Sequence, residues 1–240
     1  MKAEILSLET ICQYFPESPI ISLSGAGGKT TLMFRIGSML SSHSILTTTT
    51  KVGADQVKKA DRILSLAGLS PYTLQGVNWV TPTLSSENGK IIGCNLDEFH
   101  ELAVFCQKWH LPLINEADGA AMRHIKAPAA HEPVIPTETN VCFYLVGLDV
   151  LNRPVCESVV HRPEIFAEIT GTEYGKLITP QDMIRLIDHP AGGMKNIPDN
   201  AMKIACLTHA DTPERISAAE YISDKLNHYD FVCLYRQGNG

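Results

Sequence analysis

Hydrophobic positions along the chain follow two alternating rhythms. Short apolar runs recur at Pro19–Ser24, Ile45–Thr50, Arg62–Leu66, Leu111–Ala117, Val141–Leu148, Ile204–Thr208 and Phe231–Tyr235. Runs of this length bounded by turn residues predict strands. Between them the spacing becomes helical. Leu32, Met33, Ile36, Met39 and Leu40 predict a helix from Lys29 to about Ser41. Asn95 and Glu98 have capping-box spacing ahead of Phe99, Leu102, Ala103 and Phe105, which predicts a helix to Trp109. Thr179-Pro180-Gln181-Asp182 has the N-cap hydroxyl, leading proline and early acid of another helix start, and 213–226 reads as a last helix. Residues 77–95 read as a hairpin that turns at Asn88-Gly89.

Strands alternating with helices predict an α/β fold, a mostly parallel sheet with helices on both faces. Residues 151–200 break the alternation with turns and short helices. The expected organisation is one α/β domain from 1–150 and 201–240, with 151–200 as a small inserted subdomain suited to substrate binding. At 240 residues the chain is long enough to bury a core without a disulfide or metal staple.

Charge narrows the partners. Twenty basic against 26 acidic residues leave a net charge of −6, and no basic arm stands out. Neither nucleic acid nor a membrane surface is an expected partner. No apolar run reaches the length of a membrane span, and seven scattered cysteines without C-x-x-C spacing suit a reduced cytoplasm. Nine histidines include no H-x-H or H-E-x-x-H, so spacing predicts no metal site held by protein side chains alone.

The first candidate chemistry lies between the first strand and the first helix. Gly25, Ala26, Gly27, Gly28, Lys29, Thr30 and Thr31 form a glycine-rich strand-to-helix turn. Glycines let successive N–H groups converge on one anion, and the helix N-terminus adds partial positive charge. Lys29 suits the β- and γ-phosphates, and the Thr30 hydroxyl suits Mg²⁺. The spacing is the shorter G-x-x-G-K-T, since Leu23 stands where the full phosphate loop has glycine. Mg²⁺ with GTP or ATP is therefore the expected cofactor set, and the nucleotide the expected partner.

A phosphate loop calls for an acid at the end of another strand. Alternation puts Glu116 and Asp118 on one face. Asp118 is expected in the metal shell and Glu116 beside it, orienting a water or lying behind a ligand; a solvent-exposed acidic strand end is the alternative. Thr50 and Lys51, closing the next strand, lie where Mg²⁺ or the γ-phosphate would be in a parallel sheet. Thr208-His209-Ala210-Asp211 follows a strand in the manner of a guanine-reading [NT]-K-x-D end, with His209 in place of the lysine. Asp211 serves equally well as the N-cap of the helix at Pro213.

These segments together resemble the YqeC family of selenium-dependent hydroxylase accessory proteins. The resemblance runs in order through Gly25–Thr31, Thr47–Lys51, Glu116–Ala120, Lys126–Pro136, Val160–Glu164, Gly171–Pro180 and Pro190–Lys195 with Pro198. It implies a cytoplasmic P-loop protein acting in maturation of selenium-dependent molybdenum hydroxylases, with a hydroxylase or its cofactor-maturation proteins as partner. The short loop is similar to that of Mur-type ligases, and Asp211 to the strand-end acid of metallochaperone GTPases. Thr208-His209 departs from the Asn-Lys-like pair of family members, which leaves base preference open.

Several of these blocks have no generic explanation: Lys126, His131 and Glu132 in a proline-rich loop, His161 and Arg162 at a helix start, and Gly193 and Lys195 in a loop expected to be flexible. Together these would clamp an anionic second substrate, with Arg162 completing a catalytic set of Lys29, Glu116 and Asp118. His161 and Arg162 also read as a helix cap, and His131 as a structural histidine. Three functions stay open: an NTPase or phosphoryl-transfer accessory enzyme, a nucleotide-gated chaperone or scaffold with little catalysis, and a ligase- or kinase-like enzyme on a small anion.

Overall fold

The computed structural model describes residues 4–235. Nine strands form one sheet in which every pairing is parallel. In chain order they are β1 (Glu4–Leu6), β2 (Ile20–Gly25), β3 (His43–Thr48), β5 (Arg62–Ser65), β6 (Gly76–Thr81), β9 (Leu113–Glu116), β11 (Val141–Gly147), β13 (Met202–Thr208) and β14 (Phe231–Tyr235). Their order across the sheet is β1-β14-β13-β11-β2-β9-β3-β6-β5. Five shorter strands lie outside it. β4 (Lys51–Gly53), β7 (Ser86–Glu87) and β8 (Lys90–Ile92) make an antiparallel ribbon, and β10 (Ile125–Lys126) pairs in parallel with β12 (Val160–His161).

The helices are α1 (Leu8–Ile11), α2 (Lys29–Leu40), α3 (Ala54–Val57), α4 (Leu96–Lys108), α5 (Pro163–Thr170), α6 (Pro180–Asp188) and α7 (Pro213–Lys225). They cover both faces, and β11 shows how. Its Val141, Phe143 and Leu145 pack in one core with Leu32, Met33 and Ile36 of α2. Its Tyr144 and Val146 pack in another with Phe166 of α5, Met183 and Leu186 of α6, and Ile222 of α7. Covered on both faces, β2 and β11 are buried at every residue. Residues 151–200 supply α5 and α6, which pack on the same core as β11, β13 and α7.

The caps lie where the sequence puts them. Asn95 and Glu98 close a reciprocal capping box on α4, and Thr179 and Asp182 do so on α6. The hairpin expected over 77–95 is wrong in extent. Gly76–Thr81 is a sheet strand parallel to both β3 and β5, because its apolar residues are wanted in the core. The turn at Asn88-Gly89 does have positive φ at both residues, 51° and 71°, but it joins only β7 and β8.

Chain direction places the candidate site. After β2 the chain builds the sheet to one side through β3, β5 and β6; β9 then returns beside β2, and β11, β13 and β14 extend the other side. The carboxyl end of β2 is thus a topological switch point, where a crevice opens in parallel sheets.

Candidate functional site

The turn after β2 is built on glycine geometry. Gly25 has φ 87° and Gly27 has φ 101°. A Cβ on Gly25 would run into the Leu145 backbone, and one on Gly27 would come within 2.9 Å of the Gly147 nitrogen and 2.8 Å of Thr208 Oγ1. The loop therefore lies flat on the ends of β11 and β13, with the Ala26 amide bonded to the Leu145 carbonyl at 2.8 Å. α2 then begins at Lys29, with Gly28 as a left-handed N-cap. No side chain bonds to that cap, and the first turn holds no acid. The first amides of a helix have no partner within it, so this end favours an anion.

Lys29 is buried and folds back beneath the loop. Its Nζ donates to the Gly25 carbonyl at 2.6 Å and lies 3.1 Å from Asp118 Oδ1 and 3.8 Å from Glu116 Oε1. Burial opposes its charge, but the neighbouring carboxylates of Asp118 and Glu116 outweigh burial and raise its pKa. Glu116 is shifted upward by burial, despite Lys29 beside it and a 3.0 Å hydrogen bond from Thr30 Oγ1. Asp118 Oδ2 accepts from the Gly25 amide at 3.1 Å. The two acids thus do share a face, as alternation predicts.

Beyond Asp118 the charges continue in alternating sign. Lys126, whose side chain is 0% exposed, lies 3.0 Å from Asp118 Oδ2 and 2.7 Å from Glu132 Oε2, and donates to the Gly119 carbonyl at 2.5 Å. Arg162 Nη1 reaches the same Glu132 oxygen at 2.7 Å. Burial works against the Glu132 carboxylate, yet hydrogen bonds from Lys126 and Arg162 bring its pKa down to about 2. Three cations and three carboxylates form one balanced chain, Arg162–Glu132–Lys126–Asp118–Lys29–Glu116. Buried ions persist only when paired and hydrogen-bonded in this way. The β10–β12 pairing, with Lys126 opposite His161, brings the two remote segments together. His161 is shifted toward the neutral form by burial, with Arg162 and Lys126 adding to the effect.

Among the other expected residues, His131 borders this chain at Glu132. His131 is 78% exposed, with Nε2 3.9 Å from Glu132 Oε1. Thr50 follows the end of β3; its amide bonds to Thr48 Oγ1, and its backbone packs on Gly93. Lys51 is exposed in β4. Thr31 is exposed on the first turn of α2. Gly193 and Lys195 do not form the loose loop expected of them. Gly193 is buried, its amide capping the Leu186 carbonyl, and Lys195 Nζ donates to the carbonyls of Ala129 and Ala130. Thr208 is buried under Gly27. Asp211, 62% exposed, pairs with Arg215, and Thr212 rather than Asp211 caps α7.

Some members of the network have no sequence signal. Tyr144, within an apolar strand, donates from its hydroxyl to the Lys126 carbonyl at 3.0 Å. Thr49 Oγ1 donates to the Val134 carbonyl, and Asn196 Nδ2 to that of Pro133, pinning the proline-rich loop from both sides.

Comparison with known families decides what kind of chain carries this site. The model of the YqeC protein family matches residues 21–164, a span that holds the loop, both acids, Lys126, Glu132 and Arg162. The chain belongs to the YqeC family. It is also similar to the "Uncharacterized protein YqeC" of Escherichia coli (strain K12), 28% identical over 226 residues that cover 90% of this chain and 86% of that one. No solved structure matches. Among the described residues of this YqeC-family chain, no helix is long and apolar enough to cross a membrane.

Proposed function

We propose that this YqeC-family chain binds a Mg²⁺-nucleoside triphosphate on the 25–31 loop and transfers its γ-phosphoryl group to water or a small anion. The observation that carries the reading is the buried Lys29 ammonium, held between two carboxylates beneath a helix end that no side chain caps. A cation stored under an uncapped helix N-terminus is poised for a polyanion. On arrival of phosphate, Lys29 exchanges carboxylate partners for phosphoryl oxygens, and the loop amides take the remainder.

The donors available for Mg²⁺ suit that ion, being hard oxygens: Thr30 Oγ1 and the carboxylates of Glu116 and Asp118. When bound, Mg²⁺ neutralises charge developing on the phosphoryl oxygens. Glu116, hydrogen-bonded to Thr30, would orient the attacking group, and Arg162 would support the site through its ion pair with Glu132 and, beyond that, Lys126. The nucleotide is ATP or GTP. In the cell we assign the reaction to maturation of selenium-dependent molybdenum hydroxylases, on the strength of the family resemblance.

Phosphate release from Mg–ATP and Mg–GTP tests the chemistry. Turnover is expected in the native chain and loss of it in Lys29→Ala with the circular dichroism unchanged. Equal turnover in a folded Lys29→Ala variant would sink the reading.

A further inference from the structure

Spacing in the sequence gives no protein-held metal site, yet the fold assembles one set of donors from three distant segments. His124 comes from the loop before β10, Asp149 from just after β11, and His209 from just after β13. One donor atom from each lies within 4.8 Å of the other two. His124 Nδ1 and Asp149 Oδ2 are 2.6 Å apart, and the two imidazoles lie face to face with centroids 4.5 Å apart and planes 15° from parallel.

Two atoms of this cluster are open to a ligand. His209 Nε2 and Asp149 Oδ1 are both buried from solvent, and neither has a hydrogen-bond partner within the protein. Buried nitrogen and oxygen atoms are rarely left so, because each costs about 1–3 kcal/mol when unpaired. Two of them in one cluster, on residues that are ordinary metal ligands, have a common explanation.

We propose that His124, Asp149 and His209 bind a divalent transition-metal ion of the zinc class. Two imidazoles and one carboxylate are a borderline donor set that favours Zn²⁺, Co²⁺ or Fe²⁺ over Mg²⁺ or Ca²⁺, and three ligands leave a position for water or a ligand. Donors on one tetrahedral ion stand about 3.3 Å apart, from bond lengths of about 2.0 Å. Uptake therefore opens the His124–Asp149 hydrogen bond and tilts the stacked rings apart.

The site adjoins the glycine-rich turn. The Gly147 amide donates to the His124 carbonyl at 2.7 Å, and Gly147 also underlies Gly27. His209 follows Thr208, which underlies Gly27 as well. The proposal does not rest on the nucleotide reading, since the metal is offered without nucleotide.

The test is titration of the untagged, full-length chain with Co²⁺, followed by its visible ligand-field absorption, and with Zn²⁺ in competition with a chromophoric chelator. The expected result is one ion per chain, with affinity at least about tenfold weaker in His124→Gln and in His209→Asn. Asparagine suits the positive φ of 58° at 209, so the backbone is preserved. Asp149→Asn keeps the shape of the site and gives the same reading should a histidine variant fail to fold. His100→Gln, which removes an exposed His–Glu pair with Glu138, is expected to leave uptake unchanged. No stoichiometric uptake, or uptake that survives His124→Gln, His209→Asn and Asp149→Asn alike, would overturn the proposal.

Discussion

Lys126 is a lysine with no exposed side-chain surface, lying between two carboxylates and a carbonyl. Removing its ammonium takes away the cation that Asp118 and Glu132 share and leaves three carboxylates to Lys29 and Arg162. Breaking a buried pair from one side costs on the order of 3–5 kcal/mol. Lys126→Met, which keeps most of the volume, is therefore expected to lose a few kcal/mol in urea unfolding despite adding apolar surface. A loss under about 1 kcal/mol would mean that the pair is solvated or dispensable. The 25–31 turn is legible in the sequence as a glycine-rich strand-to-helix turn because its residues are contiguous. Lys126, Glu132 and Arg162 were readable only as unexplained polar residues. Their partners lie up to 35 residues apart in the chain, and the two-residue strands that join them have no periodicity to detect.

At the scale of elements, the segment from Asp118 to Pro136 is tied to the loop through Asp118. One end is held by Asp118 against Gly25 and Lys29, and the middle by Lys126 and Glu132. Withdrawing Lys29 toward phosphate unbalances that chain, so Mg²⁺-nucleotide is expected to change the rate of proteolysis within 120–136. An identical cleavage pattern with and without nucleotide would show the segment to be uncoupled. The strands and helices themselves were largely legible, since seven apolar runs became seven strands of the sheet. The failure at 77–95 is instructive. Asn88-Gly89 is a strong local signal, but it governs only its immediate neighbours, and the apolar run at Gly76–Thr81 was claimed by the core instead. β1 was missed because three residues at a sheet edge hold too little pattern to read.

Across the whole molecule, the ionic chain links acid stability to the site. Glu132 has its pKa depressed to about 2 in the folded chain, against an ordinary carboxylate value near 4.5. A depressed carboxylate contributes stability that is complete above its unfolded value and is lost as pH falls through its folded value. The contribution of Glu132 is thus expected to be intact above about pH 5 and to decline progressively toward pH 2. Urea midpoints measured across that window should fall more steeply in the native chain than in Glu132→Gln, which has no such proton to take up. Parallel curves would indicate that Glu132 titrates normally. The parallel sheet is also legible at this scale, since strands alternate with helices along the chain. Pairing of residues 151–200 back onto β10 was not, because it depends on chain reversals that leave no mark in composition.

The central claim is that the 25–31 loop holds a nucleotide through Lys29. Calorimetric titration of the native chain and Lys29→Ala with Mg–ATP and Mg–GTP tests it most directly. Saturable binding of one nucleotide per chain is expected, weakened about 10–100-fold in the variant, the value of a charge-assisted bond to phosphate. A preference for GTP would make exposed Asp211 a reader of the base, and a preference for ATP would leave it an ion-pair partner of Arg215. Absence of binding to both nucleotides, or binding that ignores Lys29→Ala, would contradict the account.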